Sequence, residues 1–220
     1  MGKKNNVTSV TVSLAIVIGL IVSNLLSNYT NIPQVVNWII VFFLSSTIYG
    51  FVYWLLIKMI NHFELLLKIF WGKTYIKGYW SYTYIVNGEK KYGAWCIDQD
   101  VEGIKIKGFG ITKEGVRRSD VQSLTSLIER GNDYEVVNMR RDISDNGILS
   151  DSFYYSKTSL HMQQRDTFMN LFNYPLRMDG TTYIYGGTFS GTIHTQLVFV
   201  KHPEAKNERD IEDIVKGMIS

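Results

Sequence analysis

Two long hydrophobic runs open the chain, and neither contains a charged residue. They extend from about Val7 to Leu26 and from about Val35 to Ile57. Each supplies the roughly 20 apolar residues that a helix needs to cross a bilayer. Between them Ser27-Asn28-Tyr29-Thr30-Asn31-Ile32-Pro33-Gln34 makes a polar turn with a proline. Two such segments in tandem predict a transmembrane helical hairpin, because a helix satisfies its own backbone hydrogen bonds and needs no water. No small-residue cleavage site follows Leu26, which argues against a removable signal peptide. A helical pattern continues from Lys58 to Trp71, placing Trp71 and the lysines as interface anchors. Ser13, Ser23, Asn37, Ser45, Ser46 and Thr47, with Gly19 and Gly50, are the weakly polar and small residues available for helix–helix contact.

From Thr74 onward the period becomes two, interrupted by turn signals every ten residues or so. Tyr75 to Val86 sets Trp80, Tyr82 and Tyr84 on one face and Tyr79, Ser81 and Thr83 on the other. Asn87-Gly88 predicts a hairpin turn whose central residues need positive φ. Lys91 to Asp98 returns, and Gly103 to Thr112 alternates Ile104 and Ile106 with Lys105 and Lys107. Val116 to Ile128, Tyr134 to Ile143, Ile148 to Ser156, Thr181 to Phe189 and Thr192 to Lys201 bring the total to about eight strands. This predicts a mainly antiparallel β domain, closed as an up-and-down barrel because closure removes exposed edges. A two-sheet β-sandwich is the alternative. The longer excursion from Ser159 to Gly180 predicts a short helix around Asp166 to Phe172. Asn207 to Ile219 predicts a terminal amphipathic helix, with acids early and Lys216 late. The chain therefore divides into residues 1–73, a helical hairpin with an interfacial linker, and 74–220, a β-barrel domain.

Charge orients the first part and neutralises the second. All 23 Lys+Arg and 20 Asp+Glu lie outside Asn5 to Ile57. Lys3 and Lys4 precede the first run, Lys58, Lys68 and Lys73 follow the second, and the turn has no basic residue. The positive-inside rule then puts both termini and the β domain in the cytoplasm. From Thr74 to Ser220 there are 18 Lys+Arg against 19 Asp+Glu, so the basic excess belongs to the membrane flanks. No DNA or RNA partner is expected on that basis. A content of 14% aromatic residues with 3 Pro excludes a disordered chain, and the single Cys96 excludes an internal disulfide.

Catalytic and metal-binding motifs are scarce. His62, His161, His194 and His202 show no ligand spacing with one another, with Cys96 or with carboxylates. Gly187-Thr188-Phe189-Ser190-Gly191 departs from a nucleophile elbow, and no phosphate-binding glycine loop with a following lysine occurs. Asp142, Asp145 and Asp151 flank a turn and suit ordinary turn chemistry. The expectation is a non-enzyme without metal or cofactor. What stands out is tyrosine, tryptophan and arginine on the strands. Aromatic faces stack on bases and arginine forks match phosphate oxygens. Arg117-Arg118 and Arg140-Arg141 fall on adjacent strands, so one of each pair points inward or toward the barrel mouth. The candidate ligand-binding residues are Trp80, Tyr82, Arg118, Arg140, Tyr155 and Tyr185. The same residues also suit a packed interior and a solvated outer face.

The order of parts resembles a known family. Two N-terminal membrane helices lead into Gly78-Tyr79-Trp80-Ser81-Tyr82. Trp95-Cys96-Ile97-Asp98-Gln99-Asp100, Gly103-Ile104-Lys105-Ile106 and Tyr185-Gly186-Gly187-Thr188-Phe189 follow. This is similar to the bacterial CBASS antiphage effectors with two transmembrane helices and an eight-stranded β-barrel. The Gly-x-Trp opening is shared with lipocalin-like barrels. The resemblance implies a cyclic dinucleotide as ligand, self-association on binding, and disruption of the bacterial inner membrane by the helices. The alternative is a membrane-tethered, lipocalin-like barrel for a lipid or other apolar ligand.

Overall fold

In a computed structural model of the chain, the described residues are 2–29, 33–130, 133–143, 149–162, 175–186 and 193–219. They form two compact units, residues 1–71 and 72–220. The first contains helices α1 (Gly2–Tyr29), α2 (Gln34–His62) and α3 (Glu64–Trp71). Pro33, with an extended backbone, precedes α2, where its missing N–H costs nothing. Both long helices are long and apolar enough to cross a membrane. Their surfaces fit that description, since Leu20, Phe42 and Phe43 are 66–69% exposed. Among the described side chains of α1 the buried positions are Thr11, Ala15 and Gly19, a stripe of small residues spaced by four. The hydroxyls of Ser13 and Thr47 donate to the carbonyls of Ser9 and Phe43 on their own helices, at 3.1 and 3.0 Å. These bonds stay within each helix rather than reaching a neighbour. The expected continuous helix from Lys58 to Trp71 is broken at Phe63, whose φ of −96° and ψ of 109° end α2 before α3 begins.

The second unit is a closed eight-stranded antiparallel barrel, and the sandwich alternative is excluded by its topology. Its strands are β1 (Gly78–Val86), β2 (Glu89–Gln99), β3 (Ile104–Ile111), β4 (Arg117–Ser123), β5 (Ile128–Arg130), β6 (Asp133–Ile143), β7 (Leu149–Met162), β8 (Arg177–Gly186) and β9 (Ile193–Lys201). Consecutive strands pair from β1 to β4 and from β5 to β9, β1 also pairs with β9, and β4 pairs with β6 to complete the ring. The short β5 is an extra ribbon on β6. The single strand expected from Val116 to Ile128 is thus divided. In the gap, hydroxyls stand in for strand carbonyls: Ser126 and Ser123 accept from the N–H groups of Ile104 and Ile106 at 3.0 and 2.9 Å, and Thr125 accepts from Val137 N–H at 3.2 Å.

The expected β7 and β8 are longer than the sequence pattern indicates. Leu160 pairs with Gly180 and Met162 with Met178, so pairing continues past Ser156 and begins before Thr181. The expected helix around Asp166 to Phe172, the Gly187 to Gly191 segment and the turns at Asn132 and at Asp145 to Gly147 lie outside the described residues. Asn87 and Gly88 have φ of 52° and 77°, the left-handed pair that the hairpin turn requires.

One end of the barrel is sealed. Trp80, Trp95 and Phe199 point inward and are almost fully buried, with Trp95 and Phe199 ring centres 4.5 Å apart. Beneath them residues 74–77 cross the opening. The buried carboxamide of Gln99 fastens that crossing: its oxygen accepts from Ile76 and Lys77 N–H at 2.8 and 3.0 Å, and its nitrogen donates to Thr74 O at 3.0 Å. Trp80 Nε1 donates to Ile76 O at 2.8 Å. Lys201 Nζ lies 5.1 Å from the Tyr75 ring centre and 5.6 Å from that of Trp80. On the outside, helix α4 (Glu208–Gly217) buries Ile211 and Val215 against Ala94, Phe109 and Ile111. Asn207 caps it by accepting from the N–H groups of Arg209 and Asp210.

Gln99→Leu strands three buried backbone groups at the seal. It is expected to lower the unfolding free energy by about 3 kcal/mol, measured from the urea midpoint of tryptophan fluorescence. An unchanged midpoint would show that residues 74–77 are held some other way.

Candidate functional site: the open mouth of the barrel

Large rings in a narrow barrel demand missing side chains elsewhere, and Gly93 and Gly108 supply the room. A Cβ at Gly93 would fall 2.4 Å from the Tyr82 ring, and one at Gly108 would fall 2.7 Å from Trp95 Cδ1. A Cβ at Gly110 would fall 2.5 Å from Ser119 Oγ. Tyr82 lies over Gly93 and donates from its hydroxyl to Phe109 O at 3.3 Å. Burial pushes its phenol well above the ordinary range, so it stays neutral. The rings fill the sealed half, and the other half opens as a cavity of about 390 Å³.

Tyr84, Val86, Lys91 and Gly110 line this cavity from β1–β3, and Arg118, Arg140, Asp142 and Ile184 line it from β4, β6 and β8. The central group is Arg140. Its Nη1 donates to the Tyr84 hydroxyl at 2.8 Å and its Nε to Asp142 Oδ1 at 3.3 Å. Its side chain keeps 30% of its surface accessible. Burial opposes the charge, but Tyr84, Tyr82 and Asp142 more than offset that and hold the guanidinium above its ordinary pKa. Arg140 is a permanent cation inside the barrel. At the rim Glu89 bonds to Lys91 at 2.6 Å and approaches Lys113 at 3.5 Å, and these two lysines lower its pKa.

A β-bulge decides which of two adjacent arginines faces in. Gly110 pairs with Ser119 but the next residue, Ile111, pairs with Arg117, leaving Arg118 as the extra residue of β4. Arg118 lines the cavity. Arg117 turns outward, stacks over the Phe109 ring at 4.7 Å, and bonds to Asp120 and to Glu208 of α4, both at 2.6 Å. On β6 simple alternation sorts the other pair, with Arg140 inside and Arg141 beside an outer pocket.

The six candidate residues separate into three groups. Arg118 and Arg140 share the cavity. Trp80 and Tyr82 are interior, but they pack in the sealed half, 0% and 5% exposed. Tyr155 and Tyr185 are cross-strand partners, 46% and 44% exposed, and do not line the cavity. Tyr84, Asp142 and Gly110 were missed, although alternation from Tyr82 and Arg140 places the first two on the same inner faces.

Elsewhere Ser81, His202 and Glu204 line up as nucleophile, base and acid would. Ser81 Oγ is 2.8 Å from His202 Nε2, and His202 Nδ1 is 2.9 Å from Glu204 Oε1. Ser81 is 1% exposed, however, and neither the mouth cavity nor the outer pockets reach it. The chain acts here as a clasp for the segment leading to α4. Among the described residues no group of three His, Cys, Asp or Glu is placed to hold a metal ion. Asp145, and the side chain of Asp151, lie outside the described residues.

No protein-family model matches the chain, and no curated protein matches its sequence.

Cys96 lies on the outer face, where burial first and Glu208 second push its thiol up to about 11. Alkylation by iodoacetamide at pH 8 is therefore expected to run about 100-fold slower in the folded than in the urea-unfolded chain. The unfolded thiol loses its proton first, so stability falls as pH rises from the ordinary thiol value toward about 11. Equal rates in folded and unfolded chains would contradict this placement.

Proposed function

We propose that this protein is a membrane-anchored sensor whose barrel binds a cyclic dinucleotide at its open mouth. Binding promotes self-association, and the two N-terminal helices, inserted as a hairpin in the bacterial inner membrane, then disrupt it as an antiphage effector. The observation that carries this reading is the Arg140 guanidinium, set inside the barrel beside Arg118 and Tyr84. A cation at that depth suits a phosphodiester and is costly opposite hydrocarbon. Tyr84 adds an aromatic face for a base. The resemblance in the order of parts supplies the membrane-disrupting output.

The helices support the second half of the reading. Exposed Leu20, Phe42 and Phe43 need an apolar surrounding. The Thr11, Ala15, Gly19 stripe follows the small-residue spacing by which helices approach closely in a bilayer. The basic residues at Lys3, Lys4, Lys58, Lys68 and Lys73 orient both ends toward the cytoplasm. Ligand can drive assembly only by binding the assembled form more tightly than the free one.

A second reading has its own observation. Val86, Ile111 and Ile184 also line the cavity, so a fatty acid with its carboxylate on Arg140 fits the same space. The test uses the full chain in detergent for thermal unfolding, and in vesicles loaded with a fluorescent dye. Cyclic dinucleotides are expected to raise the midpoint and release dye. Arg140→Gln is expected to weaken binding roughly 10- to 100-fold. A midpoint raised by oleate and by no cyclic nucleotide favours the lipid carrier. No midpoint rise and no dye release with any cyclic di- or trinucleotide overturns the sensor.

A further inference from the structure

Three buried polar atoms have no hydrogen-bond partner among the described residues: Ser119 Oγ, and Oδ1 and Nδ2 of Asn138. Ser119 is 0% and Asn138 1% exposed. Folded proteins leave few such atoms, because each forfeits its bonds to water and receives nothing in return. All three belong to β4 and β6, the strands whose pairing closes the ring. They also face inward. Ser119 alternates with buried Val121, and Asn138 with buried Val136 and cavity-lining Arg140.

The two residues flank the arginine. Asn138 is two residues from Arg140 toward the sealed end, about 7 Å along the strand. Ser119 borders the cavity through Gly110, where an added Cβ would be 2.5 Å from Ser119 Oγ and 3.9 Å from Arg140 Nη2. Across the closing seam Ser119 stands opposite Asp142, Val121 opposite Arg140 and Asn138 opposite Ser123, so Ser119 and Asn138 lie on either side of the cation, about 13 Å apart along the strands. A phosphate satisfies the cation but not a carboxamide, which presents an acceptor and two donors together. Hydrocarbon satisfies neither. The matching group carries a donor beside an acceptor, as the edge of a nucleobase does, and asparagine pairs with such an edge through two parallel hydrogen bonds.

We infer that Ser119 and Asn138 are the base-reading residues of the barrel, each taking the hydrogen-bonding edge of one of the two nucleobases of a cyclic dinucleotide whose phosphate lies on Arg140. This rests on the cyclic-dinucleotide reading above. Asn138 is 1% exposed and does not line the cavity, so this role requires the Arg140 guanidinium to turn from Asp142 to the incoming phosphate. The two residues then give base discrimination, and Arg140 gives attraction common to all phosphodiesters.

The test compares the wild-type full chain in detergent with Asn138→Leu and Ser119→Ala. Thermal unfolding is followed with cyclic di-AMP, cyclic di-GMP and cyclic di-UMP as probes. Both variants remove unpaired polar atoms, so without ligand their midpoints are expected to equal or exceed that of the wild type. With ligand they are expected to lose the rise, with affinity at least about 10-fold weaker for the preferred probe and the preference among bases flattened. Wild-type affinity and base preference in both variants would overturn the inference and leave the sensor standing, since the atoms would then serve only the fold or a buried water. If the wild type responds to no cyclic dinucleotide, the sensor reading fails and this one with it. Should Asn138→Leu fail to fold, Ser119→Ala, the smaller change, decides by the same two readouts.

Discussion

An eight-stranded barrel has an interior barely wide enough for its own side chains, and the rest of this domain follows from how that width is used. Trp80, Trp95, Tyr82 and Phe199 are too large to share it evenly with other side chains. They gather at one end, and Gly93 and Gly108 give up their side chains so that the rings can lie against the wall. The tightly filled half becomes core. What remains at the other end is open volume lined by shorter or polar groups. Sealed floor and open mouth are therefore two results of one packing problem.

Electrostatics inherits that division. In the filled half, polar groups are satisfied by design: Gln99 spends its whole carboxamide on residues 74–77, and Thr158 and Thr182 meet hydroxyl to hydroxyl at 3.0 Å. Toward the open half the matching is uneven: Glu89 bonds to Lys91 at 2.6 Å and Arg140 to the Tyr84 hydroxyl at 2.8 Å. Arg140 has Asp142 at 3.3 Å as a distant partner, and Ser119 and Asn138 have none among the described residues. The unmatched atoms are buried, on the two strands whose pairing closes the ring.

Much of this was legible in the sequence, for identifiable reasons. Period-two alternation and Asn87-Gly88 fixed strands and turn because each is a local property of the chain. The helix capped by Asn207 was equally local. The break of β4 was not legible: it depends on Ser123, Thr125 and Ser126 replacing backbone partners on other strands. The inner side of Arg117-Arg118 was hidden for a related reason, since a bulge inverts the parity that alternation relies on. Trp80 of the Gly-x-Trp opening, and Gln99 of the Trp95 to Asp100 segment, belong to the floor rather than to the mouth. Those motifs report how the barrel is plugged. Tyr155 and Tyr185 show the limit of composition as a guide, because tyrosine suits an outer face as well as a cavity.

The single extra residue in β4 has a mechanical meaning. It leaves two neighbouring guanidinium groups on opposite sides of a wall one backbone thick, Arg118 in the cavity and Arg117 gripping Glu208 at the start of α4. A rigid strand cannot shift one without shifting the other. Any movement of β4 therefore reaches both faces of the wall, and on the outer face the start of α4 is bonded to it through Glu208.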